Sequence, residues 1–405
     1  MADDGLVVVG ASLAGLRAVE AARKSGYTGR ITLIGAEEHL PYDRPPLSKQ
    51  FLGAADPGDV IFREERVLRD ELGVDLRLGR SATGLDAGRR TVLVGGDEIR
   101  FDAVVIATGA TARMLPDAPY LGGVHTLRTL DDALAVRGAL DSGARTVVIG
   151  AGFIGSEVAS SARARGLAVT VVEAAPVPLT RSVGPEMGKL LAELHLRAGT
   201  DLRLGVGVAS IEGDEVVRGV VLTDGTRIPA DLVVVGIGAS PATEWLRDSG
   251  IELDARDGGV LCDATLATPA SGVYAAGDVC HWRSELFGGR LRLEHWTSAA
   301  EQGALAARNA LAPGAAKPYD TVPYFWSDWY DSRIQFVGEP AGDEIEVVDR
   351  CWEEGTLLAL YRKGDRLIGA LTVDRPTLIM KLRRMIATRA GWREAVEFAR
   401  EKTRT

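Results

Sequence analysis

A chain of 405 residues, 46% hydrophobic and 25% charged, is long enough for two or three packed domains and too apolar to be a disordered polymer. Its formal charge of −9 argues against general binding to a phosphate backbone, so no nucleic-acid partner is expected. The acidic start Met1-Ala2-Asp3-Asp4 and the short apolar run behind it fit neither a secretion signal nor a membrane span, and a cytoplasmic protein is expected.

The first predicted strand, Leu6–Val9, runs into Gly10-Ala11-Ser12-Leu13-Ala14-Gly15, a helical stretch to about Ser25, a strand Ile31–Ile34, and the acids Glu37 and Glu38. A glycine at the tight turn, another where helix meets strand, and helix amides facing a pyrophosphate are what dinucleotide binding requires. Ser12 departs from the Gly-x-Gly-x-x-Gly pattern at its middle glycine. Next comes Pro41-Tyr42-Asp43-Arg44-Pro45-Pro46-Leu47-Ser48-Lys49, whose two prolines predict a rigid turn ahead of Lys49. An alternative puts Lys49 in the solvated first turn of a helix capped by Ser48. A buried strand over 101–106 ends in Ala107-Thr108-Gly109.

The βαβ pattern then repeats. Strand Thr146–Ile149 leads into Gly150-Ala151-Gly152-Phe153-Ile154-Gly155-Ser156-Glu157, a helix to about Arg165, and a strand over 169–172 ending in Glu173. Glu173 stands 18 residues after the last glycine, where its carboxylate can bond both ribose hydroxyls and repel a 2′-phosphate, so NADH is favoured over NADPH. A plain polar strand end is the alternative, and Arg181 is a nearby cation that could soften the preference. Two such units suggest two nucleotides. The run 273–276, ending in Gly277-Asp278, marks the first as FAD, because a carboxylate there can meet ribityl hydroxyls that NAD lacks. After the aromatic stretch 324–330, strands over 344–348, 357–361 and Arg366–Val373 precede a basic tail. From Leu378 to Thr405 there are eight basic residues (Lys381, Arg383, Arg384, Arg389, Arg393, Arg400, Lys402, Arg404) and three acids. Such a tail could guide an acidic partner or be a solvated helix face.

The expected fold class is therefore α/β, with two Rossmann-like dinucleotide-binding domains and a C-terminal α+β domain. Residues 1–112 and 240–318 form the expected FAD domain, 113–239 the NADH domain and 319–405 the third. Cys262, Cys280 and Cys351 show neither a Cys-x-x-Cys pair nor metal-ligand spacing, so no metal site is expected and redox chemistry falls to bound cofactors.

These residues resemble the glutathione-reductase-type flavoproteins and, more closely, their ferredoxin reductase branch, the putidaredoxin, rhodocoxin and biphenyl-dioxygenase reductases. The resemblance rests on the Arg44-to-Lys49 string, Leu127-Arg128-Thr129-Leu130-Asp131-Asp132, Gly236-Ile237-Gly238, Glu294-His295-Trp296 with Gln302-Gly303, and Val322-Pro323-Tyr324-Phe325-Trp326-Ser327-Asp328. It implies FAD contacts from Gly10, Ser12, Leu13, Ala14, Gly15, Glu37, Arg44, Lys49, Ala82, Ala107, Thr108, Gly109, Arg128, Gly277, Asp278, Glu294, His295 and Trp296. For NADH it implies Gly150, Gly152, Phe153, Ile154, Gly155, Glu157, Glu173, Arg181, Gly236, Ile237 and Gly238. Lys49 and Glu157 are the expected catalytic residues, Lys49 beside the isoalloxazine and Glu157 near the nicotinamide, paired with each other. A merely structural role for His295 stays open.

The implied activity is hydride transfer from NADH to FAD, then single-electron transfer to a [2Fe–2S] ferredoxin that feeds a cytochrome P450 or a ring-hydroxylating dioxygenase. Tyr42 stands where thiol-using relatives carry a cysteine, which disfavours disulfide reduction. An NADH oxidase or other-acceptor reductase and a regulatory NADH-binding flavoprotein are the alternatives. Arg292, Lys381, Arg383 and Arg384 are the candidate ferredoxin contacts, and both monomer and homodimer fit. Two further departures from the resembling reductases are Ala242 in place of asparagine, near the expected hinge, and Trp329 in place of glutamine, expected to alter the flavin entrance.

Overall fold

The computed structural model describes residues 4–53 and 59–403. Its chain forms two compact units, one of residues 1–43, 60–111 and 240–321, the other of 44–59, 112–239 and 322–405. The segment carrying Lys49 thus packs with the second nucleotide motif. Of the basic tail, Arg404 lies outside the described residues.

The first unit is built on a parallel five-stranded sheet in the order Val273–Ala275, Ala103–Ile106, Leu6–Val9, Ile31–Ile34, Val74–Arg77. Its central strand, Leu-Val-Val-Val, is at most 2% exposed. A parallel strand covered on both faces needs such an unbroken apolar run, and each of these side chains contributes about 1.5–3 kcal/mol of burial. The helix Leu13–Lys24 follows directly, its buried face rich in small residues, Ala14, Gly15, Ala18, Ala21 and Ala22. A three-stranded antiparallel sheet (Ala82–Asp86, Thr91–Val94, Asp97–Arg100) is appended.

The second unit repeats the plan. Its parallel sheet runs Asp201–Leu204, Val169–Glu173, Thr146–Ile149, Leu232–Val235, Val124–His125, with the helix Phe153–Ala164 after the central strand and an antiparallel sheet (Val208–Gly213, Val217–Leu222, Arg227–Pro229) beside it. The C-terminal part of this unit is an antiparallel five-stranded sheet in the order Tyr324–Trp329, Ser332–Gly338, Arg366–Val373, Thr356–Lys363, Glu344–Cys351. The helices Pro376–Ala387 and Trp392–Thr403 close it. Proline at the first position suits a helix start, and Leu378, Ile379, Leu382 and Ile386 form the buried stripe of the first of these helices. The strands Leu6–Val9, Ile31–Ile34, Thr146–Ile149 and Arg366–Val373 have the bounds expected from sequence, and other strand edges differ by one to three residues, the largest shift extending 344–348 to Glu344–Cys351. Among the described residues no helix is long and apolar enough to cross a membrane.

Candidate functional site

Each central strand delivers the chain into a turn that only glycine can make. Gly10 has φ +121° and a Cβ there would lie 2.0 Å from the Ala107 carbonyl oxygen, while one on Gly15 would lie 1.9 Å from the Gly10 oxygen. The second unit repeats this: Gly150 has φ +102°, with a Cβ 2.4 Å from the Gly236 oxygen, and Gly155 would clash with Gly150 at 2.1 Å. Ala107 and Gly236 therefore act as floors beneath the two turns. The middle position is less demanding. Ser12 is extended (φ −121°), and a Cβ on Gly152 would meet nothing nearer than 3.7 Å, which explains why serine is tolerated.

Both following helices begin without a side-chain cap and without an acid in the first turn. Their positive poles are left for a ligand, as a pyrophosphate needs. These two cradles fit FAD and NAD(H).

In the first unit Glu37, at the end of the second strand, is half-buried and accepts from the Tyr42 hydroxyl at 2.5 Å. Ala82 opens the antiparallel sheet. Thr108 donates to the Ala242 carbonyl at 2.8 Å, and the Ala242 amide donates to Gly109 at 2.9 Å, so Ala242 is anchored through its backbone. Gly277 has φ +79° and its amide donates to Gln302 Oε1 at 2.8 Å. The indole of Trp296 donates to Asp43 at 2.7 Å; burial raises the Asp43 carboxyl, and this bond opposes the rise. Burial pushes His295 down to about 4 against the field of Asp278, so its ring is neutral.

Arg292 departs from expectation. Its side chain is only 13% exposed and points inward: Nε donates to Asp257 at 2.7 Å, Nη1 to the Asp278 carbonyl at 2.8 Å and to Glu294 at 2.9 Å. His281 bonds the same Asp257 at 2.9 Å. Burial works against the Asp257 carboxylate, but donors from Gly259, Arg292 and His281 hold it at about 2. An arginine used in this way is a strut behind Gly277-Asp278.

In the second unit Glu157 is 2% exposed and gathers four donors: the Ser48 hydroxyl, Lys49 Nζ, the Ser327 hydroxyl at 2.5 Å and the Asp328 amide at 3.3 Å. The expected Lys49–Glu157 pair is present, and Lys49, with a side chain 14% exposed, does not occupy a solvated helix turn. Ser48 reaches Glu157 instead of capping a helix. Arg44 donates to the Arg128 carbonyl at 2.6 Å, and Thr129 and Asp132 close a capping box at the next helix. Glu173 accepts from the amides of Ala151 at 2.9 Å and Ala175 at 2.8 Å, which fixes it beside the glycine turn. Arg181 Nη2 reaches over Gly238, the residue after Gly236 and Ile237. Phe153 packs on Phe325 with ring centroids 4.7 Å apart, and Ile154 remains 39% exposed on the same helix start.

Trp329, expected at the flavin entrance, is fully buried against His195, with ring centroids 4.9 Å apart. His195 bonds Ser156 through Nε2 at 3.1 Å and Tyr330 through Nδ1 at 2.7 Å. Burial pushes its pKa down to about 4. The unfolded chain therefore binds a proton below pH 6.5 that the folded one refuses. Stability should be intact above pH 6.5 and fall as pH drops to 4 by about 3 kcal/mol for His195 and about as much again for His295, so His195→Gln should remove about half of the combined dependence. Urea midpoints at pH 7.5 and 4.5 check this; an undiminished pH dependence in the variant would sink it.

Cys262 and Cys280, far apart in sequence, are buried in hydrogen-bond contact, and burial pushes the Cys280 thiol well up. A thiol held protonated in this way is a poor nucleophile.

Residues 4–303 match the pyridine nucleotide-disulphide oxidoreductase family and residues 324–402 the reductase C-terminal family. The chain belongs to the pyridine nucleotide-disulphide oxidoreductases. Rhodocoxin reductase of Rhodococcus erythropolis is 37% identical, over 95% of this chain and 89% of the relative. The ferredoxin–NAD(+) reductase component of the biphenyl dioxygenase system of Paraburkholderia xenovorans (strain LB400) is 38% identical, over 96% and 94%. Among solved structures, the ferredoxin reductase for the CYP199A2 system of Rhodopseudomonas palustris superposes with a TM-score of 0.90 at 36% identity, over 98% of both chains. Putidaredoxin reductase in its covalent complex with putidaredoxin gives 0.90 at 32%, over 96% and 94%. Within the family the chain falls in the ferredoxin reductase branch, and its cofactors are FAD and NADH.

Proposed function

We propose that this protein is a cytoplasmic NADH-dependent ferredoxin reductase that passes electrons from NADH to a [2Fe–2S] ferredoxin serving a cytochrome P450 or a ring-hydroxylating dioxygenase. The observation that carries this reading is the duplicated cradle, two glycine turns each seated on the end of a neighbouring strand and each opening an uncapped helix. The names of the relatives, which pair such chains with ferredoxins, support the acceptor class. FAD, when bound, supplies the ability to take up two electrons together and release them singly.

The chain's own residues bind and orient. In this proposal Glu37 holds the adenosine ribose of FAD and Asp278 its ribityl chain, with Trp296 at the pyrimidine edge. The roles that the resemblance implies for Ala82, Arg44, Arg128 and Lys49 are part of it. Glu173 meets the NADH ribose, Ile154 and Gly238 line that site, and Glu157 lies near the nicotinamide. For the ferredoxin, Lys381 and Arg384 are the better candidates: both are exposed on the helix Pro376–Ala387, while Arg383 folds back to the Val322 carbonyl at 3.0 Å. Exposed cations steer an acidic partner without being spent on internal bonds.

Rapid mixing of the FAD-loaded protein with NADH or NADPH, followed by steady-state reduction of a [2Fe–2S] ferredoxin and of oxygen, tests the proposal. NADH should bleach the flavin at least about tenfold faster than NADPH, a discrimination of about 1.4 kcal/mol, and ferredoxin should outpace oxygen. Preference for NADPH would refute the role of Glu173, and fast bleaching without ferredoxin reduction would refute the acceptor.

A further inference from the structure

We propose that Trp329 is a positioning residue for NADH: its indole N–H fixes the Ser327 hydroxyl so that Ser327 can donate only to Glu157, and thereby sets the carboxylate that faces the nicotinamide. The inference rests on the reading of Glu157 given above. A serine hydroxyl has one proton and can accept from elsewhere, whereas an indole N–H only donates. Trp329 Nε1 lies 2.9 Å from Ser327 Oγ and takes the acceptor side, which leaves the hydroxyl proton for Glu157 Oε1 at 2.5 Å. Without the indole the hydroxyl keeps Glu157 as its acceptor but loses the donor that holds its oxygen in place.

Trp329 is itself locked. It is fully buried, and its neighbour Tyr330 sits at φ +55°, a left-handed conformation that costs a non-glycine residue energy unless its surroundings hold it. They do so here: the Tyr330 amide donates to Ser160 Oγ at 2.9 Å, and its hydroxyl bonds His195 at 2.7 Å and Thr200 at 2.8 Å. His195 in turn bonds Ser156. Ser156, Glu157 and Ser160 share the helix Phe153–Ala164, so the hairpin turn is fastened to the helix on both sides of Glu157 in sequence. A turn that served packing alone would not need its indole aimed at a hydroxyl that touches this carboxylate.

The test is calorimetric titration of NAD+ into the oxidised, FAD-loaded protein, which reads binding without turnover. Trp329→Phe should raise the NAD+ dissociation constant about fivefold, Ser327→Ala by a similar factor, and the double variant no more than Ser327→Ala alone, as expected for one buried hydrogen bond acting through the other. A Trp329→Phe constant within twofold of wild type, or effects that multiply in the double variant, would overturn the proposal. If Trp329→Phe does not fold, Ser327→Ala decides: a rise supports the relay and an unchanged constant removes it. Glu157→Gln separates the two levels of the argument. If it leaves NAD+ binding unchanged, the placing of Glu157 near the nicotinamide fails; if it weakens binding while Trp329→Phe does not, only the role of Trp329 falls.

Discussion

Lys49→Met is expected to lower the unfolding free energy by about 3 kcal/mol, the cost of leaving one half of a buried ion pair without its partner. Glu157 would stay buried with two hydroxyls and one amide as its only donors, since Ser48, Ser327 and Asp328 cannot supply a countercharge. Adding Glu157→Gln to Lys49→Met should restore about half or more of the loss, because a neutral amide can use the same hydroxyls without needing a charge. Denaturant unfolding at a fixed excess of FAD gives the comparison once each variant's FAD dissociation constant is measured, because the linkage depends on that constant as well as on ligand concentration. A change below about 0.5 kcal/mol for Lys49→Met would mean that the pair behaves as a surface contact.

The second large effect concerns Arg292. Arg292→Ala should weaken FAD binding by about ten- to a hundredfold, the equivalent of about 1.4–2.7 kcal/mol for a carbonyl and a carboxylate that each lose a charged donor. The guanidinium is a brace between Asp257 and the carbonyl of Asp278, so its loss frees the strand end that presents the Asp278 carboxylate. At saturating FAD the Michaelis constant for ferredoxin should stay within about twofold of wild type, while Lys381→Glu with Arg384→Glu should raise it and flatten its salt dependence. Retained FAD affinity together with a raised ferredoxin constant in Arg292→Ala would return that residue to the partner surface. The acid side offers a second readout. Asp257, held at about 2 in the fold, contributes stability that is present above its ordinary carboxylate range and is lost as pH falls toward 2.

The two nucleotide units were legible before any coordinates because each is a local device. The glycine at a turn, the small residue at a helix–strand contact and the acid at the next strand end are fixed by chain spacing within one βαβ unit, and period, run length and turn residues carry that information. The apolar central strands and the helices that follow the two glycine turns were legible in the same way. The Lys49–Glu157 pair was expected from resemblance alone, since no local rule links residues 108 positions apart.

What the tertiary structure alone decided were contacts between segments distant in sequence and the direction in which a side chain points. Arg292 reads as a surface cation beside Glu294, yet Asp257, 35 positions earlier, turns it inward. Trp329 reads as a residue of the flavin entrance, yet packing on His195 buries it completely. Cys262 and Cys280 read as scattered, yet neighbouring strands bring their thiols together. In each case composition and period set how apolar or charged a position is, and the choice of partner was left to long-range packing, which a one-dimensional pattern does not encode.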